Sequence, residues 1–307
     1  MALVTMPDAS WVADTGEVAG LEFVTWDIHG PHPRADEIAV VVPPYLDPHQ
    51  RLELLDTLPQ LDLVQLLTAG YDNVTPHLPE GVTLCSGGGI HDASTAELTL
   101  TLILASLRGV PDFVRAQDQH DWIPIRIWPA LADRRVLVVG YGRVGRAIAR
   151  RLLPFEVELT AVASRPHDGD DLVDTVHGID ALPELLPIHD VVVVITPLTE
   201  ATVRLVDREF LTRMKDGALL VNVARGRVAD TDALVAEAAS GRLRVAVDVT
   251  DPEPLPPDHP FWSTPNVLIS PHVGGASTAF RPRAVALVKT QLTAYALGQP
   301  LENVVSA

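Results

Sequence analysis

Short apolar runs alternate with longer stretches of mixed polarity along this chain, and the alternation predicts strands and helices in turn. Residues 37–45, EIAVVVPPY, read as a strand stopped by a proline pair, because proline has no amide to give to a ladder. Residues 48–58 set apolar side chains on one helical face and predict a helix. A buried strand running into a turn at Ala69-Gly70 is expected over 62–74, and another strand over 81–86, before the glycines at 87–89. Residues 92–109 predict a long helix, with Ser94, Thr95 and Glu97 near its start, where caps and acids belong. Its near-continuous apolarity calls for burial on most sides. From 134 to 155 a strand, a glycine-rich turn and a helix follow one another directly. Further apolar runs at 158–165, 190–198, 217–225, 243–250 and 266–272 predict strands covered on both faces, as in a parallel sheet. The last helix, near 280–297, lies beyond this series and is expected to return to the first domain.

The pattern gives an α/β chain built on parallel sheets. Residues 1–101 plus 278–307 are assigned to one domain and 102–277 to a second. The 307-residue length agrees, since a single core usually stops growing below that size.

Composition narrows the partners. Acidic residues outnumber basic ones 40 to 23, a formal charge of -17. Such a surface repels nucleic acid and anionic membranes, and a small anion needs local positive charge to bind. The single cysteine, Cys85, excludes an intrachain disulfide and a cysteine-based zinc cluster, and no metal site is expected. The N-terminal stretch lacks a basic-then-apolar signal and no membrane-length apolar run occurs, so a cytoplasmic protein is expected.

Gly140-Tyr141-Gly142-Arg143-Val144-Gly145 fits G-x-G-x-x-G. Glycines also mark ordinary turns, but here the motif follows the strand VLVV and opens a helix, the context of a dinucleotide site. Gly140 permits the turn, Gly142 lets a pyrophosphate approach, and Gly145 lets helix and strand pack closely. The phosphates are expected at Tyr141, Gly142, Arg143 and Val144, where the helix start has free amides. NAD sites usually carry an acid at the end of the next strand. This chain has Ala163-Ser164-Arg165 there instead, and Asp168, Asp170 and Asp171 come slightly late. Arg165 facing a 2'-phosphate, with Ser164 donating to it, favours NADP over NAD; a solvated loop arginine is the plainer alternative.

Three ionisable residues stand just past apolar runs: Arg225 in LLVNVARGRV, Glu253 in DVTDPEPLP and His272 in NVLISPHVGG. Ligands of open parallel sheets sit beyond the carboxyl ends of the strands, so all three point toward one crevice. Hydride transfer to a carbonyl carbon needs a proton for the developing alkoxide. A histidinium stabilised by a carboxylate can give it, while an arginine forks onto a substrate carboxylate. Singly, each residue also fits a structural role: a salt-bridge partner, a solvated acid or a capping group.

The stretches VVGYGRVGRAIARRL, VVVVITPLT, FLTRMKDGALLVNVARGRVAD, VAVDVTDPEPLP, HPFW and NVLISPHVGGAS together resemble the D-isomer-specific 2-hydroxyacid dehydrogenases, most closely over 130–276. The resemblance implies two Rossmann-like domains, each a doubly wound parallel sheet, the first substrate-binding and the second dinucleotide-binding, with an active-site cleft between them. It implies that Arg225 binds substrate, Glu253 orients the histidine and His272 is the general acid/base. It further implies that backbone amides of Thr68-Ala69-Gly70-Tyr71 hold the substrate carboxylate. Cofactor contacts are implied at Thr196, Pro197, Val223, Ala224, Asp248 and Gly274, and a homodimer with the 94–109 helix near its seam.

The chain also departs from some members. Phosphoglycerate-type relatives carry an arginine where this chain reads Val42-Pro43-Pro44-Tyr45, phosphite-oxidising relatives a lysine where it has Ala69, and formate dehydrogenases lack the Glu–His pair. The expectation is therefore an NAD(P)-dependent 2-keto-acid reductase acting on a small 2-keto or 2-hydroxy acid such as glyoxylate or hydroxypyruvate. Two alternatives stand: a D-3-phosphoglycerate dehydrogenase-like NAD enzyme, and a non-catalytic NAD(H)-sensing regulatory protein. The complete Arg–Glu–His set argues against the latter.

Overall fold

A computed structural model describes residues 1–305 apart from 46 and 48. It divides into two compact units, 1–91 with 278–307, and 92–277.

In the first unit β1 (Ala2–Met6), α1 (Ala9–Thr15), β2 (Leu21–Thr25), β3 (Ile38–Val41), β4 (Leu63–Gln65) and β5 (Thr83–Cys85) precede the closing helix Phe280–Ala296. All strand pairs are parallel, in the order β2-β1-β3-β4-β5, one of the doubly wound orders. The side chain of Asp8 caps α1 by accepting from the amides of Ser10 and Trp11. The closing helix buries Ala284, Val288 and Leu292 in one cluster with Val4, Val40 and Leu63. It is pinned to α1 by an Arg281–Asp14 pair at 2.8 Å and an edge-on Trp11–Phe280 contact. β1, α1 and β2 are absent from the expectations above. The helix expected over 48–58 does not form: residue 48 lies outside the described residues, and Leu52–Thr57 is a 3-10 helix. Only Leu54 and Leu55 of that segment are buried, no side chain caps its start, and the Thr57 hydroxyl donates back to the Leu54 carbonyl at 2.7 Å. Two buried leucines do not make the continuous stripe that an α-helix needs.

The second unit holds α2 (Asp92–Arg108), α3 (Val110–Asp118), β6 (Arg135–Val139), α4 (Arg143–Leu152), β7 (Glu158–Val162), β8 (His167–Asp168), β9 (Thr175–His177), α5 (Leu182–Leu185), β10 (Val191–Val194), α6 (Arg208–Arg213), β11 (Leu219–Asn222), α7 (Thr231–Ala239), β12 (Arg244–Val247) and β13 (Val267–Ile269). Its sheet runs β13-β12-β11-β10-β6-β7-β9-β8, parallel except for the short β8–β9 pair. Strand order reverses beside β6, which creates a switch point between β6 and β10. The unit boundary falls at 91/92 and not at the expected 101/102. The reason is that α2 is one unbroken helix whose Leu100, Leu102, Ile103 and Leu107 share a core with Val136, Ile148 and Leu219. Its apolarity is thereby accounted for within the unit. Ser94 and Thr95 lie inside the helix, so they do not cap it: Ser94 Oγ meets Ser277 Oγ at 2.6 Å, and Thr95 is buried. Among the described residues no helix is long and apolar enough to cross a membrane.

Candidate active site

Register makes the carboxyl ends of six strands in the second unit level. Val162, Val139, Val194, Asn222, Val247 and Ile269 are successive ladder partners at the ends of β7, β6, β10, β11, β12 and β13. Whatever follows each strand by a few residues therefore emerges on the same edge.

Beyond β6 the three motif glycines are required for three different reasons. Gly140 has φ +112°, and a Cβ there would strike the backbone of Ile195, just past β10. A Cβ on Gly145 would strike the Gly140 carbonyl oxygen, so α4 presses against the turn. At Gly142 a Cβ would meet nothing within 4 Å, which leaves open space at the start of α4. No side chain caps that start and no acid lies in its first turn. Tyr141 is buried and its hydroxyl donates to Asp170 at 3.0 Å; burial first, and then the Asp170 charge, push its pKa up to about 12. Arg146 also grips Asp170, at 2.7 Å. Burial opposes ionisation of Asp170, but bonds from the Leu172 amide, Tyr141 and Arg146 hold its carboxyl below the usual range. Arg143 stands 3.5 Å from Asp92, and Val144 is half-buried. Beyond β7, Ser164 and Arg165 are exposed, and Arg165 makes no ion pair among the described residues.

Past β10, the Thr196 hydroxyl is buried and finds no hydrogen-bond partner among the described residues, while the Pro197 carbonyl accepts from Thr202 at 2.6 Å. Past β11, Asn222 is almost fully buried and shapes the turn: its amide nitrogen donates to the Arg225 carbonyl at 3.1 Å and its oxygen accepts from Ala224 N at 3.0 Å. Val223 and Ala224 are buried, and the half-buried Arg225 donates through Nη1 to the Ala224 carbonyl at 2.8 Å. Gly226 abuts the backbone of Thr250 and Asp251 so closely that any Cβ would collide with it, which ties the Arg225 turn to the loop that carries Glu253.

Past β12, Asp248 is buried and its carboxylate is fully engaged. Oδ1 accepts from Ser270 Oγ at 2.6 Å and Val273 N at 2.9 Å, and Oδ2 accepts from Gly274 N at 2.8 Å. The Asp248 carbonyl also accepts from His272 N at 2.7 Å. These bonds hold His272 at φ +53°, a region that non-glycine residues rarely adopt and that marks functional sites when observed. His272 Nδ1 lies 2.5 Å from Glu253 Oε1. A carboxylate only accepts, so Nδ1 carries the proton and Nε2 is the nitrogen left for exchange.

Residues 100–274, more than half of the chain, match the family model described as "D-isomer specific 2-hydroxyacid dehydrogenase, NAD binding domain". The chain belongs to the D-isomer-specific 2-hydroxyacid dehydrogenase family. It is 34% identical over 258 residues to "Glyoxylate reductase" of Thermofilum pendens, covering 80% of this chain and 75% of that one. It is 30% identical over 306 residues to "Glyoxylate reductase/hydroxypyruvate reductase" of Mus musculus, covering 95% and 93%. Among solved structures, a D-isomer specific 2-hydroxyacid dehydrogenase from Xanthobacter autotrophicus Py2, in complex with NADPH and MES, superposes with a TM-score of 0.84 at 29% identity, over 99% of this chain and 98% of that one.

As a family member the chain carries an NAD(P)-binding domain and acts on small 2-keto or 2-hydroxy acids as an NAD(P)-dependent oxidoreductase. Gly142 left open and a buried, unpartnered Thr196 hydroxyl fit a dinucleotide at the β6–β10 switch point. The structure brings Glu253 and His272 together and sets Arg225 on the neighbouring strand end. It shows Asp248, expected beside the nicotinamide, with its carboxylate committed to the 270–274 loop. A Cβ on Gly274 would crowd Asp248 Oδ2 and lie 3.4 Å from Thr95 Oγ1. Ala69 and Tyr71 are exposed and Gly70 half-buried in the first unit; none of their amides donates a hydrogen bond among the described residues. Asn222 and Ser270 were not singled out from the sequence. A polar residue closing an apolar strand, as in LLVN, is the signal that marks Asn222.

Proposed function

We propose that this dehydrogenase reduces glyoxylate or hydroxypyruvate, with NADP(H) as its preferred dinucleotide. The Glu253–His272 contact, between residues that follow β12 and β13 while Arg225 follows the adjacent β11, carries the reading. When bound, the nicotinamide dinucleotide supplies the hydride. Tyr141, Gly142, Arg143 and Val144 would receive its phosphates, and Thr196, Pro197, Val223, Ala224 and Gly274 would line its path. Arg225 forks onto the substrate carboxylate and draws charge from the carbonyl. His272 gives a proton from Nε2 to the nascent alkoxide in reduction and takes it back in oxidation, while Glu253 holds the ring by Nδ1. The unengaged amides of Ala69, Gly70 and Tyr71 in the first unit suit a carboxylate without adding charge.

The exposed Ser164 and Arg165, with Asp170 already taken up by Tyr141 and Arg146, support a 2'-phosphate over a free ribose hydroxyl. A cytoplasmic homodimer completes the reading. Support for the dimer comes from Trp122, Ile125 and Ile127, which are at least nine-tenths exposed, and from the neighbouring half-exposed Phe113 and Val114. Nicotinamide absorbance followed across a panel of 2-keto acids tests the assignment. Glyoxylate and hydroxypyruvate should lead the panel, NADPH should outperform NADH in kcat/KM, and Arg165→Asp should reverse that order. No turnover across the panel sinks the substrate assignment, and an NADH preference untouched by Arg165→Asp sinks the cofactor assignment.

A further inference from the structure

At the amino ends of β12 and β13, opposite the strand ends that lead to Glu253 and His272, the second unit has an open-mouthed cavity of about 280 Å³. Ser106 of α2, Asp112 and Arg115 of α3, Arg126, Trp128 and Arg244 wall it. Two of its buried polar atoms, Ser106 Oγ and Arg244 Nη1, find no hydrogen-bond partner among the described residues. Burial lowers the pKa of the Arg244 guanidinium, and Arg126 and Arg134 nearby lower it further. Against three arginines the wall offers one carboxylate, Asp112, which Arg126 already meets at 2.9 Å and Arg115 at 3.5 Å. Arg126 is itself fixed by lying over the Trp128 ring, 3.6 Å from its centre. In a chain of formal charge -17 this concentration of guanidinium runs against the composition.

We propose that the cavity binds a small oxyanion of the phosphate or sulfate class. A buried guanidinium nitrogen without a partner, such as Nη1 of the half-buried Arg244, is costly, and an anion removes that cost by accepting from it. Guanidinium forks match paired oxygens, and the Ser106 hydroxyl supplies a further donor on the same wall. The volume takes such an anion with several waters, each occupying roughly 30 Å³. None of these residues belongs to the catalytic set, so the site stands or falls apart from the proposed reaction.

The test is thermal unfolding with the dinucleotide site saturated by reduced cofactor, so that phosphate cannot act there. Inorganic phosphate and, separately, sulfate are titrated against chloride at constant ionic strength. The wild type should show a saturable rise in Tm, roughly 2–3 °C at about ten times Kd. Arg244→Met should abolish the rise while leaving the anion-free Tm unchanged or higher, because it removes a buried nitrogen that has no partner among the described residues. Arg126→Gln, at a more exposed position, should weaken the affinity without abolishing the response. No rise in the wild type, or an equal rise in Arg244→Met, overturns the proposal. Sedimentation of the same samples separates the other source of an acceptor. If Arg244→Met alters only the association state and neither protein responds to phosphate, a carboxylate from a second copy fills the cavity and the small-anion site is wrong.

Discussion

His272 is held in a left-handed conformation that costs about 1–3 kcal/mol for a non-glycine residue, and the Asp248 carboxylate and carbonyl impose it through four hydrogen bonds to the 270–274 loop. The strain aims the ring at Glu253, which leaves Nε2 to handle the proton. His272→Ala should therefore lower kcat by about 10²–10⁴-fold, the range general acid/base groups contribute, with the Kd for the reduced dinucleotide nearly unchanged. Glu253→Gln should also lower kcat, since an amide can donate to Nδ1 and select the wrong tautomer. Stopped-flow turnover and fluorescence titration of the cofactor check both; a cofactor Kd that moved in step with kcat would reassign the pair to binding. Arg225, Glu253 and His272 were legible because each follows an apolar run by a few residues. The work of Asp248 was not, because its partners lie 22 to 26 residues away and only the folded loop brings them within reach.

Level strand ends are what turn these separate residues into one edge, and close backbone contacts between neighbouring loops keep them there. Gly226 is the tightest such contact that involves the catalytic loops, lying against the backbone of Thr250 and Asp251 two residues before Glu253. Gly226→Ala must push the β11 and β12 loops apart. It should destabilise the protein by about 1–3 kcal/mol, the range for overpacking, and lower kcat because Glu253 moves with its loop. Tm and turnover on the same preparation check this, and full stability with full activity would show that the loops can slide freely. At this scale the parallel rhythm of the second unit was readable, since β6, β10, β11 and β12 are apolar but for a polar residue at one end of three of them. The strands of that unit that escaped are those without such runs: β8 and β9 are two and three residues long. Leu52–Thr57 misled because apolar spacing resembles a helical face even where only two adjacent leucines of the segment are buried.

Across the whole molecule the charge of -17 and one buried histidine respond to acid in opposite directions. Approach to the pI near 4.9 relieves self-repulsion and favours the compact state. His189 works against this. It is 2% exposed, between the Leu185 carbonyl at 2.6 Å from Nδ1 and the Thr160 hydroxyl at 2.9 Å from Nε2. A carbonyl only accepts, so Nδ1 carries the proton and Nε2 accepts from Thr160 in the neutral ring. Burial, reinforced by Arg135 and only partly offset by Leu185, Asp190 and Glu158, lowers its pKa from the ordinary 6.5. A depressed pKa means that the unfolded state takes up the proton first. The stabilising contribution is thus complete above about pH 6.5 and is lost as pH falls from there through the folded value. Glutamine can donate to Leu185 and accept from Thr160 without titrating, so His189→Gln isolates the effect. The wild type's stability relative to His189→Gln should shrink between pH 7 and pH 5, while both proteins share the charge relief equally. Urea midpoints at each pH, converted with a common m-value, measure the difference; a gap that stays constant over that interval would mean that His189 titrates alike in the folded and unfolded chains.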